Sequence, residues 1–129
     1  MAAILIVDDN QLACEAISLV LESAGYTVRQ AHRVAEAVDM VAASPPDLAI
    51  VDLSMPDGNG VDLIRTLHES HPKLPMILYS GFFAPEDDQE KRANRMDGIV
   101  AVFKKPLRNA DLIAAITRAI GPAAALESS

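Results

Sequence analysis

Ile4-Leu5-Ile6-Val7 is an apolar run with no polar alternation, and it meets Asp8-Asp9. A strand without alternation is buried on both faces, and such strands imply a parallel sheet covered by helices on each side. Three further runs repeat the arrangement. Leu48-Ala49-Ile50-Val51 meets Asp52, Met76-Ile77-Leu78-Tyr79 meets Ser80, and Ile99-Val100-Ala101-Val102-Phe103 leads to Lys105-Pro106. Ligands of open parallel sheets bind beyond the carboxyl ends of the strands, where all these polar residues fall. Each of them can handle a phosphoryl group, so together they form the candidate site.

Between the runs the spacing turns helical. Leu12, Ala16, Ile17, Val20, Leu21 and Ala24 follow Asn10, a good cap, and the pattern ends at Gly25. Residues 26–31 then read as a strand. Val34, Ala37, Val38 and Val41 predict a second helix stopped by Ser44-Pro45-Pro46, and Val61, Ile64 and Leu67 a third stopped by His71-Pro72. A fourth helix is expected over residues 85–95, opening at Pro85. Glu86, Asp87 and Asp88 suit its N-terminal dipole, and Lys91, Arg92 and Arg95 its C-terminal half. A fifth opens near Asn109, carries Leu112, Ile113, Ile116 and Ile120, and stops at Gly121-Pro122. Five strands alternating with five helices predict an α/β domain, a flavodoxin-like doubly wound (βα)5 with a five-stranded parallel sheet in the order 2-1-3-4-5. That order sets the first and third strands side by side and brings Asp8, Asp9 and Asp52 together.

At 129 residues and 50% hydrophobic content the chain suits one core. Residues 1–122 are expected to form one domain and 123–129 a flexible tail or the start of a linker. The formal charge of -7, with Lys and Arg scattered, argues against direct nucleic acid binding by this chain. The single cysteine, Cys14, allows no internal disulfide and fits a reducing compartment, so a cytoplasmic location is expected. Only six residues separate Met1 from Asp8, which leaves no room for a signal peptide, and no apolar stretch approaches a membrane span.

Three carboxylates converging in one crevice repel one another, so the site either raises their pKa values or recruits a cation. A hard divalent ion suits it, Mg²⁺ (or Mn²⁺), which takes one or two carboxylates and fills its octahedron with waters, a carbonyl and phosphate oxygens. Asp52 is placed to react. A carboxylate can act as a nucleophile and form an aspartyl phosphate when the phosphoryl charge is neutralised. Lys105 as a mobile point charge and the Ser80 hydroxyl as a donor would join the cation in that task, and Gly81 leaves room beside Ser80.

These residues match a family. Ile6-Val7-Asp8-Asp9, Asp52-Leu53-Ser54-Met55-Pro56 followed by Gly58 and Gly60, Tyr79-Ser80-Gly81 and Lys104-Lys105-Pro106 closely resemble the receiver domain of two-component response regulators, including the chemotaxis type. The resemblance covers residues 3–120. It implies that Asp52 accepts phosphate from a sensor histidine kinase or a histidine phosphotransfer protein. It further implies that Asp9, Asp52 and the Ser54 backbone carbonyl ligate Mg²⁺, that Asp8 acts through water, that Ser80, Gly81 and Lys105 contact the phosphoryl group, and that the Lys105-Pro106 bond is cis.

Two positions depart from the family pattern. Val102 stands where the family carries a Tyr or Phe that swings inward on activation, and Phe103, adjacent, faces the other side by strand alternation. Phe82, two residues after Ser80, is bulky at a position that influences access of water to the phosphoryl group. The output is therefore expected to run through the loop after Ser80 and the fourth helix, with Phe82 slowing loss of phosphate. Phe83 would be exposed or buried for an effector partner or a second copy, on the face of the fourth helix and fifth strand.

Other readings are weaker. An Asp-nucleophile phosphatase of the haloacid-dehalogenase type wants a second Asp two residues on, where Ser54 stands. A degenerate receiver serving only as a non-phosphorylated interaction module would lose the acidic pair, the acceptor or the lysine, and all are present. His32, His68 and His71 lack metal-ligand spacing and read as helix-end or surface residues. Asp57-Gly58-Asn59-Gly60 lacks the ending of a P-loop and reads as a turn.

Overall fold

Asn10 starts the first helix as a cap should. Its backbone is extended and its side chain accepts a hydrogen bond from the Ala13 amide at 3.2 Å, which satisfies one of the helix's orphan donors. At the other end Gly25 takes a positive φ of 100°, a region a side chain would disfavour, and reverses the chain toward the sheet. The Tyr26 amide donates back to the Leu21 carbonyl at 3.1 Å. Tyr26 thus closes the helix end, and the strand expected from residue 26 begins one residue later.

The structure is a computed structural model and describes residues 3–52, 60–80, 99–104 and 109–120. Its elements are β1 Ala3–Val7, α1 Gln11–Ser23, β2 Thr27–Ala31, α2 Val34–Ala43, β3 Leu48–Asp52, α3 Gly60–Ser70, β4 Met76–Ser80, β5 Ile99–Lys104 and α4 Asn109–Ile120. The helix expected over residues 85–95 lies outside the described residues, as does the tail 123–129, so the helix expected fifth is labelled α4.

The five strands form one parallel sheet in the order β2-β1-β3-β4-β5, as expected. Alternation along the strands splits the core into two layers. Leu5, Val7, Ala49, Val51, Met76 and Leu78 face α2 and α3, packing with Ala37, Val41, Leu63, Ile64 and Leu67. Ile4, Ile6, Leu48, Ile50, Ile77 and Tyr79 face the opposite layer with Cys14 and Leu21 of α1 and Leu112 and Ile116 of α4. The strand order reverses after β2, so right-handed crossovers put α1 on one face and α2 and α3 on the other. The central strands β1 and β3 are buried almost throughout, whereas β2 at one edge is mostly half-buried.

β5 is the other edge. Met76 pairs with Ile99 but Ile77 pairs with Ala101, so Val100 is an extra residue that bulges out, about half exposed. Beyond it the register is regular, and Ala101 and Phe103 both pack on the layer that holds Tyr79. Among the described residues no helix is long and apolar enough to cross a membrane.

Candidate functional site

The sheet register assembles the site. Ile6 pairs with Ile50 and Ile50 with Ile77, all three facing α1 and α4. Two residues further along each strand, on the same face of the pleat, stand Asp8, Asp52 and Tyr79. Asp52 and Tyr79 are direct partners in the register, and the Asp8 amide still donates to the Ala31 carbonyl at 3.0 Å, extending β1 past its last apolar residue.

Asp8 and Asp52 are buried, at 0% and 2% exposure, while Asp9 is exposed. One carboxylate oxygen from each of the three lies within 4.8 Å of the others. Three hard oxygen donors in one small space, one of them facing solvent, fit a hard divalent cation that keeps part of its water. This Asp cluster can hold a metal ion.

Asp8 is gripped on three sides. The Asn10 amide donates to its Oδ1 at 2.9 Å, an Asx turn that also sets up the α1 cap. The Tyr79 hydroxyl donates to its Oδ2, and the Cys14 thiol donates to its backbone carbonyl at 3.4 Å. Burial, then the hydrogen bond to Asp8 and the charge of Asp8, push the Tyr79 phenol far above its ordinary value, so it remains a donor. Burial and the charge of Asp8 likewise push the Cys14 thiol up to about 12. Cys14 is a buried thiol and not a reactive thiolate.

Of the expected phosphoryl-binding residues, Ser80 ends β4 and its backbone pairs with Lys104 at the end of β5. The side chains of Ser80 and Val102, and residues Ser54, Gly81, Phe82, Phe83, Lys105 and Pro106 entirely, lie outside what is described. Sequence reasoning counted Tyr79 as one apolar residue of a strand. Its parity was the signal: it lies two residues from Ile77, on the face that carries Asp52. His68 and His71 stand at the C-terminal end of α3, away from the acidic cluster. They are half-buried rather than superficial, and their Nδ1 atoms have no hydrogen-bond partner among the described residues.

The family model described as the response regulator receiver domain matches residues 4–117. The chain belongs to that family. Response regulator MprA of Mycobacterium tuberculosis is 32% identical over 128 residues, covering 97% of this chain and 54% of that protein. The photosynthetic apparatus regulatory protein RegA of Cereibacter sphaeroides is 33% identical over 82 residues, 64% of this chain and 45% of that protein. The chain spans about half the length of these curated relatives. A CheY-like receiver domain protein from Methanospirillum hungatei has the same fold, with a TM-score of 0.85 at 27% identity and coverage of 93% of this chain and 94% of that one. The receiver family is regulatory and serves two-component signalling, and the strand order found here is that of its flavodoxin-like fold.

Proposed function

We propose that this receiver domain takes a phosphoryl group on Asp52 from a phosphohistidine donor in a Mg²⁺-dependent reaction and works as a phosphorylation switch. The observation that carries the reading is the meeting of Asp8, Asp9 and Asp52 within 4.8 Å at the carboxyl ends of β1 and β3. A carboxylate oxygen of Asp52 attacks phosphorus, the bond from phosphorus to the donor imidazole nitrogen breaks, and the electron pair leaves with that nitrogen. Asp52, nearly buried and paired in register with Tyr79, is oriented by the end of β3. Asp9, Asp52 and the Ser54 carbonyl would hold Mg²⁺ directly, with Asp8 acting through water. The cation would neutralise charge on the phosphoryl oxygens.

Ser80, Gly81 and Lys105 are proposed to receive the remaining phosphoryl oxygens, and Phe82, Phe83 and the Val102 position to carry or time the output. The proposed unit is residues 1–122, working in the cytoplasm with a sensor histidine kinase or a histidine phosphotransfer protein as donor. An effector or a second copy would read the state through the face of β5 and residues 85–95. Intact-mass analysis after incubation with acetyl phosphate and Mg²⁺ tests the reading. One added phosphoryl group in the wild type and none in Asp52→Asn is expected; equal incorporation in the variant would overturn the assignment.

A further inference from the structure

A three-carboxylate cluster does not by its charge choose Mg²⁺. Ca²⁺ takes six to eight oxygen ligands and welcomes carboxylates, whereas Mg²⁺ demands an octahedron and is usually bound through one or two carboxylates with its waters kept. What decides between them is how many of the three side chains can turn directly onto the ion. In this chain Asp8 is buried with a donor on each oxygen, the Asn10 amide on Oδ1 at 2.9 Å and the Tyr79 hydroxyl on Oδ2. The two donors differ in kind. The amide belongs to the turn that begins α1 and accompanies any position of the Asp8 backbone. The phenol reaches across the sheet from β4, fixed by a ring that packs in the layer with Ile50, Ile77 and Leu112. It ties the carboxylate to a strand other than its own.

We propose that Tyr79 is a positioning residue that sets the cation preference of the acidic cluster, holding Asp8 back so that the ion is met directly by Asp9 and Asp52 and by Asp8 through water. The proposal rests on the metal reading above and deepens it. A donor locked onto Oδ2 removes the reason for that oxygen to seek an ion, since a buried carboxylate oxygen must be satisfied by something. Remove the donor and that oxygen gains a reason to seek the cation. Asp8 then turns onto it as a third carboxylate ligand, which Ca²⁺ accommodates and the Mg²⁺ octahedron resists.

Tyr79→Phe takes away one oxygen and leaves the packed ring. Mg²⁺ and Ca²⁺ affinities of the wild type and the variant would be measured by calorimetric titration of the unphosphorylated chain. Partners of metal ligands are typically worth 10–100-fold in affinity, so the wild-type preference for Mg²⁺ over Ca²⁺ is expected to shrink at least about tenfold in the variant. An unchanged preference overturns the proposal, including the case in which both affinities fall in parallel, because that is what a merely structural tyrosine would give. A wild type that binds no Mg²⁺ refutes the metal reading itself, a different failure.

Should Tyr79→Phe not fold, the unmodified chain decides by ¹³Cζ-tyrosine NMR, since Tyr26 and Tyr79 are its two tyrosines. A Tyr79 resonance that moves on Mg²⁺ saturation while Tyr26 stays still supports the link from phenol to carboxylate to ion. A Tyr79 resonance indifferent to Mg²⁺ overturns it.

Discussion

Asp52→Asn is expected to make the metal-free domain more stable and the Mg²⁺-loaded domain less stable than the wild type. Asp8 and Asp52 are both buried, with carboxylate oxygens within 4.8 Å of each other. At an effective dielectric constant of about 20, two unit charges at that separation repel by about 3.5 kcal/mol. Replacing Asp52 with its uncharged isostere removes the repulsion, while some hydrogen bonding that favours the carboxylate is lost, about 1.5–3 kcal/mol for a charged acceptor. The net gain is about 0.5–2 kcal/mol, which for a domain of this size is a rise in Tm of roughly 2–10 °C. In Mg²⁺ at a hundred times Kd the wild type gains about 2.7 kcal/mol, and the variant, short of one anionic ligand, gains little. Thermal unfolding followed by circular dichroism, once in EDTA and once in saturating Mg²⁺, reads both arms. The order of stability should invert between them. Because the pair is buried, the EDTA arm should survive high salt. A variant less stable than the wild type in EDTA would refute the claim that the carboxylates strain one another, and equal stabilisation of both proteins by Mg²⁺ would refute Asp52 as a ligand.

Asn10→Ala removes the side-chain acceptor for the Ala13 amide, and denaturant unfolding should show a loss of about 1 kcal/mol. Mg²⁺ affinity should hold within about twofold, because the Asn10 contact to Asp8 is made by its backbone amide. Cys14, pushed up from 9.0 to about 12, should resist a thiol reagent in the native protein and react once the chain is unfolded. Between those two values the unfolded state has shed the thiol proton that the native state keeps, so the Cys14 contribution to stability is full below pH 9 and is lost as pH rises toward 12. Alkaline denaturation of Cys14→Ala beside the wild type checks the sign. Phe82→Ala is expected to shorten the phosphorylated lifetime in a dephosphorylation time course without changing the extent of loading, since a bulky ring two residues after Ser80 would act by excluding the attacking water.

The sheet was legible because four of its five strands are short apolar runs whose ends are marked by chemistry. Ile4 to Val7 and Leu48 to Val51 admit no amphipathic reading, and burial on both faces leaves little choice but a parallel sheet between helices. Asp8, Asp9 and Asp52 were legible by the same logic, being the residues at which those runs stop. The start of β2 was not, because Tyr26 is as good a strand former as Thr27, and only the helix-closing bond to Leu21 decides between them. Which member of the acidic pair turns inward was also hidden from the strand pattern. It is fixed by the Asp8 amide continuing the ladder to Ala31 and thereby carrying the alternation one step beyond Val7. The hydroxyl of Tyr79 was concealed by its own ring, which satisfies an apolar pattern as well as Phe would.

A sheet this apolar can carry a cluster that is unfavourable by itself. Each of the three central strands spends its last inward-facing position on a polar group, Asp8 on β1, Asp52 on β3 and Tyr79 on β4, directly above the layer formed by Ile6, Ile50 and Ile77. Burial there lowers the local dielectric and makes every charge in the crevice matter more than it would in water. The same setting that raises the repulsion between Asp8 and Asp52 therefore amplifies the response to any cation or phosphoryl group that arrives. Local rules are broken where function requires it, and the cost is carried by the packing beneath. On this argument Tyr79 is the one neutral member of the trio for a reason. A third buried carboxylate on β4 would add repulsion that one divalent ion could not offset, whereas a phenol donates to the charge already present.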